Sequence, residues 1–302
     1  MSVAERAVAA PWLSPGVRYM AYSAFWFSVM SLLVKLAGRT LPSMEIVFVR
    51  ALVTLVLSWA LVRRAGLSPW GRRRGLLFLR GLLGFAGLTC FYYSIVSLPL
   101  AEATLIQYTN PVLAALLAAW WLGERVGARQ AVCVAASLAG VALVTRPAFL
   151  FGAHAAALPP RAVGIALLGA LFSAVVYVVV RMLRDTDHPL VVVLSFPLVA
   201  TPLALPFAMR VWRWPTAAEW LVMIGVGVAT QVAQVYMTRG LQLEPAGRAT
   251  AVGYLQVAFA ALWGALLFAE LPDALGLLGA AVIVASTLVL VRPPTGAAQA
   301  AE

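Results

Sequence analysis

Long apolar runs separated by short polar links set the organisation of this chain. Ten runs, at about residues 17–38, 44–63, 75–97, 99–123, 130–146, 162–181, 189–209, 218–239, 247–269 and 273–291, fall near the length a helix needs to cross a bilayer. The links are mostly too short for a soluble domain. The pattern predicts an all-α integral membrane protein with ten transmembrane helices. Residues 1–16 and 294–302 lack an apolar run and read as tails, and no cleavable signal peptide is evident before the first span.

The fourth run breaks the apolar pattern. Ala103 to Gly123 is without a charge, yet it carries Gln107, Tyr108, Asn110 and Pro111 at its centre. Lipid penalises such polar groups, and Pro interrupts the helix ladder. A helix lining a polar cavity has a use for both. The stretch also returns later. Shifted by 146 residues, Leu98 to Pro147 matches the later sequence at 14 of 50 positions, and the weight lies on Pro99/Pro245, Thr104/Thr250, Tyr108/Tyr254, Glu124/Glu270 and Arg146/Arg292. The chain is a tandem duplication. Five spans per copy is an odd number, so the copies enter the membrane in opposite senses. The expected architecture is two inverted five-helix repeats, 17–147 and 161–293, arranged as in transporters that alternate access around a midplane site.

Composition narrows the function class. With 63% hydrophobic and 11% charged residues, the chain is not a soluble enzyme. Its net charge of +11 would suit nucleic acid, but the arginines sit in short links, as topology determinants do. Counting them with the N-terminus inside puts 14 on inner segments and 5 on outer ones, which predicts both termini in the cytoplasm of a bacterial-type inner membrane. Cys90 and Cys133 lie in separate apolar runs, and the histidines, His154 and His188, lie in links. No disulfide framework, metal site or cofactor site is indicated. The partners expected are the bilayer and a small-molecule substrate, with no nucleic acid; a homodimer is compatible with the pattern.

These residues resemble the drug/metabolite transporter superfamily of ten-span permeases built from two EamA-type repeats. The resemblance rests on Trp26 nine residues before Lys35, Arg50 in VFVRALV, LPLAEATLIQYTNPV followed by Gly123-Glu124, and LEPAGRATAVGYLQ with Glu270. It covers about residues 17–293. Phe27 stands where the family commonly has Gly after the Trp, and Phe196 stands at the repeat position of Arg50. The resemblance implies a transporter fold and leaves the substrate open, because the superfamily serves many metabolites.

Several residues are candidates for function, each with a structural alternative. Lys35, the only lysine, is either a snorkelling anchor or a cavity charge. Arg50 lies inside the second span, where a charge must face protein or water; Glu45 and Glu102 are available ion-pair partners, and a gate or substrate contact is the sharper reading. Glu102 at the start of the fourth span is either a proton carrier or a solvated helix-start acid. Thr104, Gln107 and Tyr108 share a helix face with Asn110 nearby, and Pro111 leaves the Gln107 carbonyl without its helical donor. These residues line a substrate site or join packed helices. Of Phe91, Tyr92 and Tyr93, one or two face the same cavity. Gln231, Gln234 and Thr238 form a polar stripe on the eighth span, and Thr250, Tyr254 and Gln256 repeat Thr104, Tyr108 and Asn110. Glu124 and Glu270 are expected to accept backbone or loop hydrogen bonds. Gly81, Gly84, Gly87 and the pairs Ala136/Gly140 and Gly276/Ala280 suit close helix packing.

The leading reading is a secondary transporter that moves a small polar metabolite, an amino acid or related zwitterion, outward through a midplane cavity. A membrane-embedded enzyme would need a paired-carboxylate or His-based site, and the spans hold no His and no acidic pair. A passive channel fits poorly with unequal repeats and no charge rings. Nucleotide hydrolysis is unsupported, because no GxxxxGK[ST] occurs.

Overall fold

The computed structural model describes residues 14–98, 100–145, 147–151, 158–268 and 273–291, and of residues 95, 96, 100–102, 148, 149, 268 and 291 it describes the backbone alone. The described chain is helical: α1 (Pro15–Ala37), α2 (Ser43–Arg64), α3 (Arg74–Ser97), α4 (Leu100–Gln107), α5 (Asn110–Leu122), α6 (Ala128–Thr145), α7 (Ala148–Phe151), α8 (Pro160–Met182), α9 (Pro189–Arg210), α10 (Ala217–Leu243), α11 (Ala246–Val252), α12 (Leu255–Phe268) and α13 (Ala274–Val291). Local signals account for many of the ends. Ser14 accepts from the Val17 N–H ahead of Pro15, and a Thr216/Glu219 capping box opens α10. Gly123, at a φ of 66°, closes α5 in the left-handed conformation that glycine adopts without strain.

Among the described residues nine stretches are long and apolar enough to cross a membrane, with α4–α5 and α11–α12 each making one crossing. Ala274–Leu290 in α13 is a shorter tenth. The outward surface suits lipid, for Phe78, Leu116, Trp120, Leu221 and Leu266 are each more than 60% exposed.

The 146-residue offset holds well beyond the stretch where sequence identity shows it. Adding 146 to the bounds of α2 gives those of α9, and the same shift carries α6 onto α13. Packing repeats the relation. Helix α1 lies along α10 and α3 along α8, α2 packs on α9, and α6 packs on α13. Exchanging the halves turns each of these pairs into another of the set or into itself, so two inverted repeats are related by a pseudo-two-fold axis. At the α6–α13 contact a Cβ on Gly140 would lie 2.8 Å from the Gly279 carbonyl, and Ser137 and Ser286 share a hydroxyl hydrogen bond of 2.7 Å. Backbones this close leave no room for a side chain at either glycine, which is how small residues hold membrane helices together without a hydrophobic driving force.

Candidate functional site

Both repeats interrupt their fourth helix at the same register. Between α4 and α5, Tyr108 and Thr109 leave the helical ladder, and Thr109 O accepts from Val112 in place of Tyr108 O. The carbonyl of Tyr108 is then taken by the Tyr254 hydroxyl at 2.9 Å, from the matching break between α11 and α12. The two tyrosine rings stack 5.9 Å apart. The second break has no proline; Gly253 N–H and Val257 N–H bond three residues back, tightening the turn. The freed oxygen that finds a partner is thus that of Tyr108, one residue beyond the carbonyl that Pro111 points to, and the other repeat supplies the partner.

Around these breaks lies a cavity of about 290 Å³. Six pairs of repeat-equivalent residues line it: Phe27/Ser173, Arg50/Phe196, Leu88/Gln234, Phe91/Met237, Gln107/Gly253 and Asn110/Gln256. The site therefore sits on the pseudo-two-fold axis, and four of the pairs are chemically unlike, whereas Phe91/Met237 keep an apolar side chain and Asn110/Gln256 keep an amide. Tyr108, Pro111, Arg80, Tyr177 and Thr250 complete much of its polar and aromatic wall. Gln107 donates to Ser173 Oγ at 3.0 Å, Gln256 donates to Ser31 Oγ at 3.4 Å, and Arg80 donates to Gln234 Oε1 at 3.1 Å with its guanidinium 5.4 Å from the Phe196 ring centre.

The two ends of the cavity differ. At the Glu124 end one core joins helices from both sides, with Val17 and Met20 of α1, Leu77 of α3, Val179 of α8, Val191 of α9, Leu241 of α10 and Val252 of α11. Glu124 adds a polar tie there. It pairs with Arg181 at 2.9 Å and accepts from the Ala246 N–H, the first of α11, at 2.8 Å, while Arg181 donates to the Gln242 carbonyl at 2.6 Å. At the Arg50 end the core divides into one cluster from α1, α2 and α10 around Ile46 and Met223, and another around Ala103 and Ala166 that joins α4 and α8 with Leu98, the residue after α3.

The candidate residues separate by where the fold places them. Gln107, Tyr108, Asn110, Gln234, Gln256 and Arg50 meet at the cavity wall. Tyr254 lies behind it, fully buried, as the cap on Tyr108 O. Gln231 is buried between helices, accepting from Ser58 Oγ at 2.9 Å, and Thr104 lies outside the wall. On α3 the wall takes Phe91; Tyr92 is half-buried outside it, and Tyr93 is 41% exposed on the outer surface, as the helical period of about 100° per residue requires of three successive aromatics. Lys35 is exposed in the last turn of α1, away from the wall. Glu45 turns from Arg50 and accepts from the Arg213 N–H at 3.2 Å. The Glu102 and Glu270 side chains, like Arg146 and Arg292, lie outside the described residues.

Comparison with known proteins decides the family. Residues 14–146 and 160–292 each match the EamA-like transporter family. The chain belongs to that family, within the drug/metabolite transporter superfamily. It is a multi-pass membrane transporter rather than an enzyme. The pseudopaline exporter of Pseudomonas aeruginosa is 33% identical over 285 residues, 94% of this chain and 98% of the exporter. Human solute carrier family 35 member G1 is 29% identical over 92% of this chain and 79% of its own length. The S-adenosylmethionine uptake transporter of Rickettsia prowazekii is 22% identical over 91% of this chain and 92% of its own. A solved crystal structure at 20% identity shares the EamA-type fold, with a TM-score of 0.79 over 95% of this chain and 98% of that one.

Arg80 is the cavity residue that the hydrophobic pattern passes over. Its exposure is 2%, and it lies six residues into α3. A charge there costs about 2.5–3.5 kcal/mol on insertion scales. It follows the basic link at Arg72–Arg74 so closely that it reads as that link's continuation. The usable signal is depth: the six residues from Arg74 to Arg80 rise roughly 9 Å along the helix, as far in as the charge at Arg50.

Proposed function

We propose that this EamA-type transporter exports a small polar metabolite of the amino-acid or related zwitterion class by alternating access, driven by a gradient or by the substrate itself. The observation that carries the reading is the set of six repeat-equivalent residue pairs that line the cavity on the pseudo-two-fold axis. An axis between inverted repeats is where rocking one repeat against the other exposes the same site to each side in turn. The core joined at the Glu124 end and divided at the Arg50 end supports a state closed towards the former. Gln107, Asn110, Gln234 and Gln256 supply amides for orienting a polar ligand, with Arg50 and Arg80 for its carboxylate. The arginine distribution favours a bacterial-type inner membrane with both termini and the Glu124 end on the cytoplasmic side. Outward movement draws support from the relative named as a pseudopaline exporter.

Counterflow into proteoliposomes holding purified full-length protein tests the reading. An amino-acid panel should show saturable exchange for at least one member. Absence of exchange for every member, with folded protein in the bilayer, would remove the substrate class.

A further inference from the structure

We infer that the cavity is built for an amino dicarboxylate, an elongated organic anion with two carboxylates and one amine. This narrows the substrate class and rests on the transporter reading. Its basis is the set of fully buried hydrogen-bonding atoms that the wall leaves unused. Arg80 commits one nitrogen, Nη2, to Gln234, and its Nε and Nη1 are buried without a partner. Arg50 likewise buries Nε unpartnered, and its Nη1 meets only the Met30 thioether at 3.8 Å. Among the described residues no Asp or Glu lines the cavity to balance either guanidinium. A buried cation without its counter-charge is unfavourable in the empty protein, and an arriving carboxylate removes that cost by a charge-assisted hydrogen bond.

The third unused atom sets the remaining chemistry. Ser173 gives its hydroxyl hydrogen to the Gly169 carbonyl, so its oxygen can only accept from Gln107. That fixes the Gln107 amide with Nε2 towards Ser173 and leaves Oε1 buried and unpartnered. Among its fully buried side-chain atoms the wall thus leaves two guanidiniums and one acceptor unused. A ligand satisfies all three with two anionic groups and an N–H. The arginines enter from opposite ends, because Arg80 is six residues from the start of α3, Arg50 is seven from the start of α2, and successive spans run antiparallel. One carboxylate therefore goes to each end, with the amine between them.

Ligand-dependent thermal unfolding of the purified full chain tests this assignment, using glutamate, aspartate and iminodiacetate against glutamine, alanine and lysine at matched ionic strength. The dicarboxylates should bind at least tenfold more tightly than glutamine. Arg80→Gln and Arg50→Gln should each erase that preference, Arg80→Lys should retain part of it, and Arg184→Gln, on an exposed surface pair, should leave it unchanged. If Arg80→Gln does not fold, Arg50→Gln and Arg80→Lys carry the test. Glutamine binding as tightly as glutamate, or a preference that survives both Gln variants, overturns the assignment. A folded protein that binds none of the six overturns it as well. The transporter reading falls separately, only if counterflow of the whole amino-acid panel also fails.

Discussion

The two copies of the fourth span agree where they build the joint and differ at most positions where both face the cavity. Tyr108 and Tyr254 stand at one register, and the second caps the first through its hydroxyl, so a shared residue type does unequal jobs that complete one joint. Thr250 bonds back to the Ala246 carbonyl within its own helix, which is again structural work. Where both copies turn a residue to the cavity, most of the chemistry changes, with glutamine against glycine, leucine against glutamine and arginine against phenylalanine, while asparagine against glutamine keeps only the amide. Duplication supplied a symmetric frame, and the chemistry was then written on one side at a time. A two-fold wall would offer a ligand two identical half-sites; this wall offers one asymmetric site.

Changes to frame and wall should separate in their readouts. Glu124→Ala removes the acceptor that joins Arg181 to the first amide of α11, and should cost about 3 kcal/mol, the low end for a buried pair because Glu124 keeps some exposure. Denaturant unfolding in detergent measures it, and a loss below about 1 kcal/mol would demote this tie. Gln107→Ala should lower transport at least tenfold while leaving the unfolding midpoint within a few degrees; unchanged flux would return Gln107 to the role of a helix–helix contact. Tyr254→Phe leaves the Tyr108 carbonyl unsatisfied and should cost about 1–3 kcal/mol, with ligand affinity lowered less than by Gln107→Ala. The reverse order would place Tyr254 in contact with substrate. Tyr93→Phe, on the outer surface, should shift stability by less than about 0.5 kcal/mol and leave flux unaltered.

The frame was legible in the sequence because membrane insertion writes itself in one dimension. Span lengths, the odd number per repeat and the Tyr and Glu matches need no knowledge of contacts. The break in the first copy announced itself through Pro111, whereas the break at Gly253 did not, since it is made by bonds to the third residue back. The wall was half legible. Gln107, Asn110, Gln234 and Gln256 stood out as amides in apolar runs, but choosing Phe91 over Tyr92 and Tyr93 requires knowing which neighbour each rotation meets. Gln231 and Gln234 look alike in the stripe, and only the position of Ser58 sends one to a helix contact while Arg80 holds the other at the cavity. Arg80 itself was hidden by its basic neighbours.

Labelling of a single cysteine at position 110, in a background with Cys90 and Cys133 replaced by Ala, tests alternating access most directly. A membrane-impermeant thiol reagent applied to sealed vesicles of each orientation should reach Asn110→Cys from the Arg50 end. Adding Glu124→Ala should shift the reactivity towards the Glu124 end. Equal and simultaneous labelling from both ends in both proteins would mean an open pore and contradict the account. Labelling from neither end would mean that the cavity is not on the transport path.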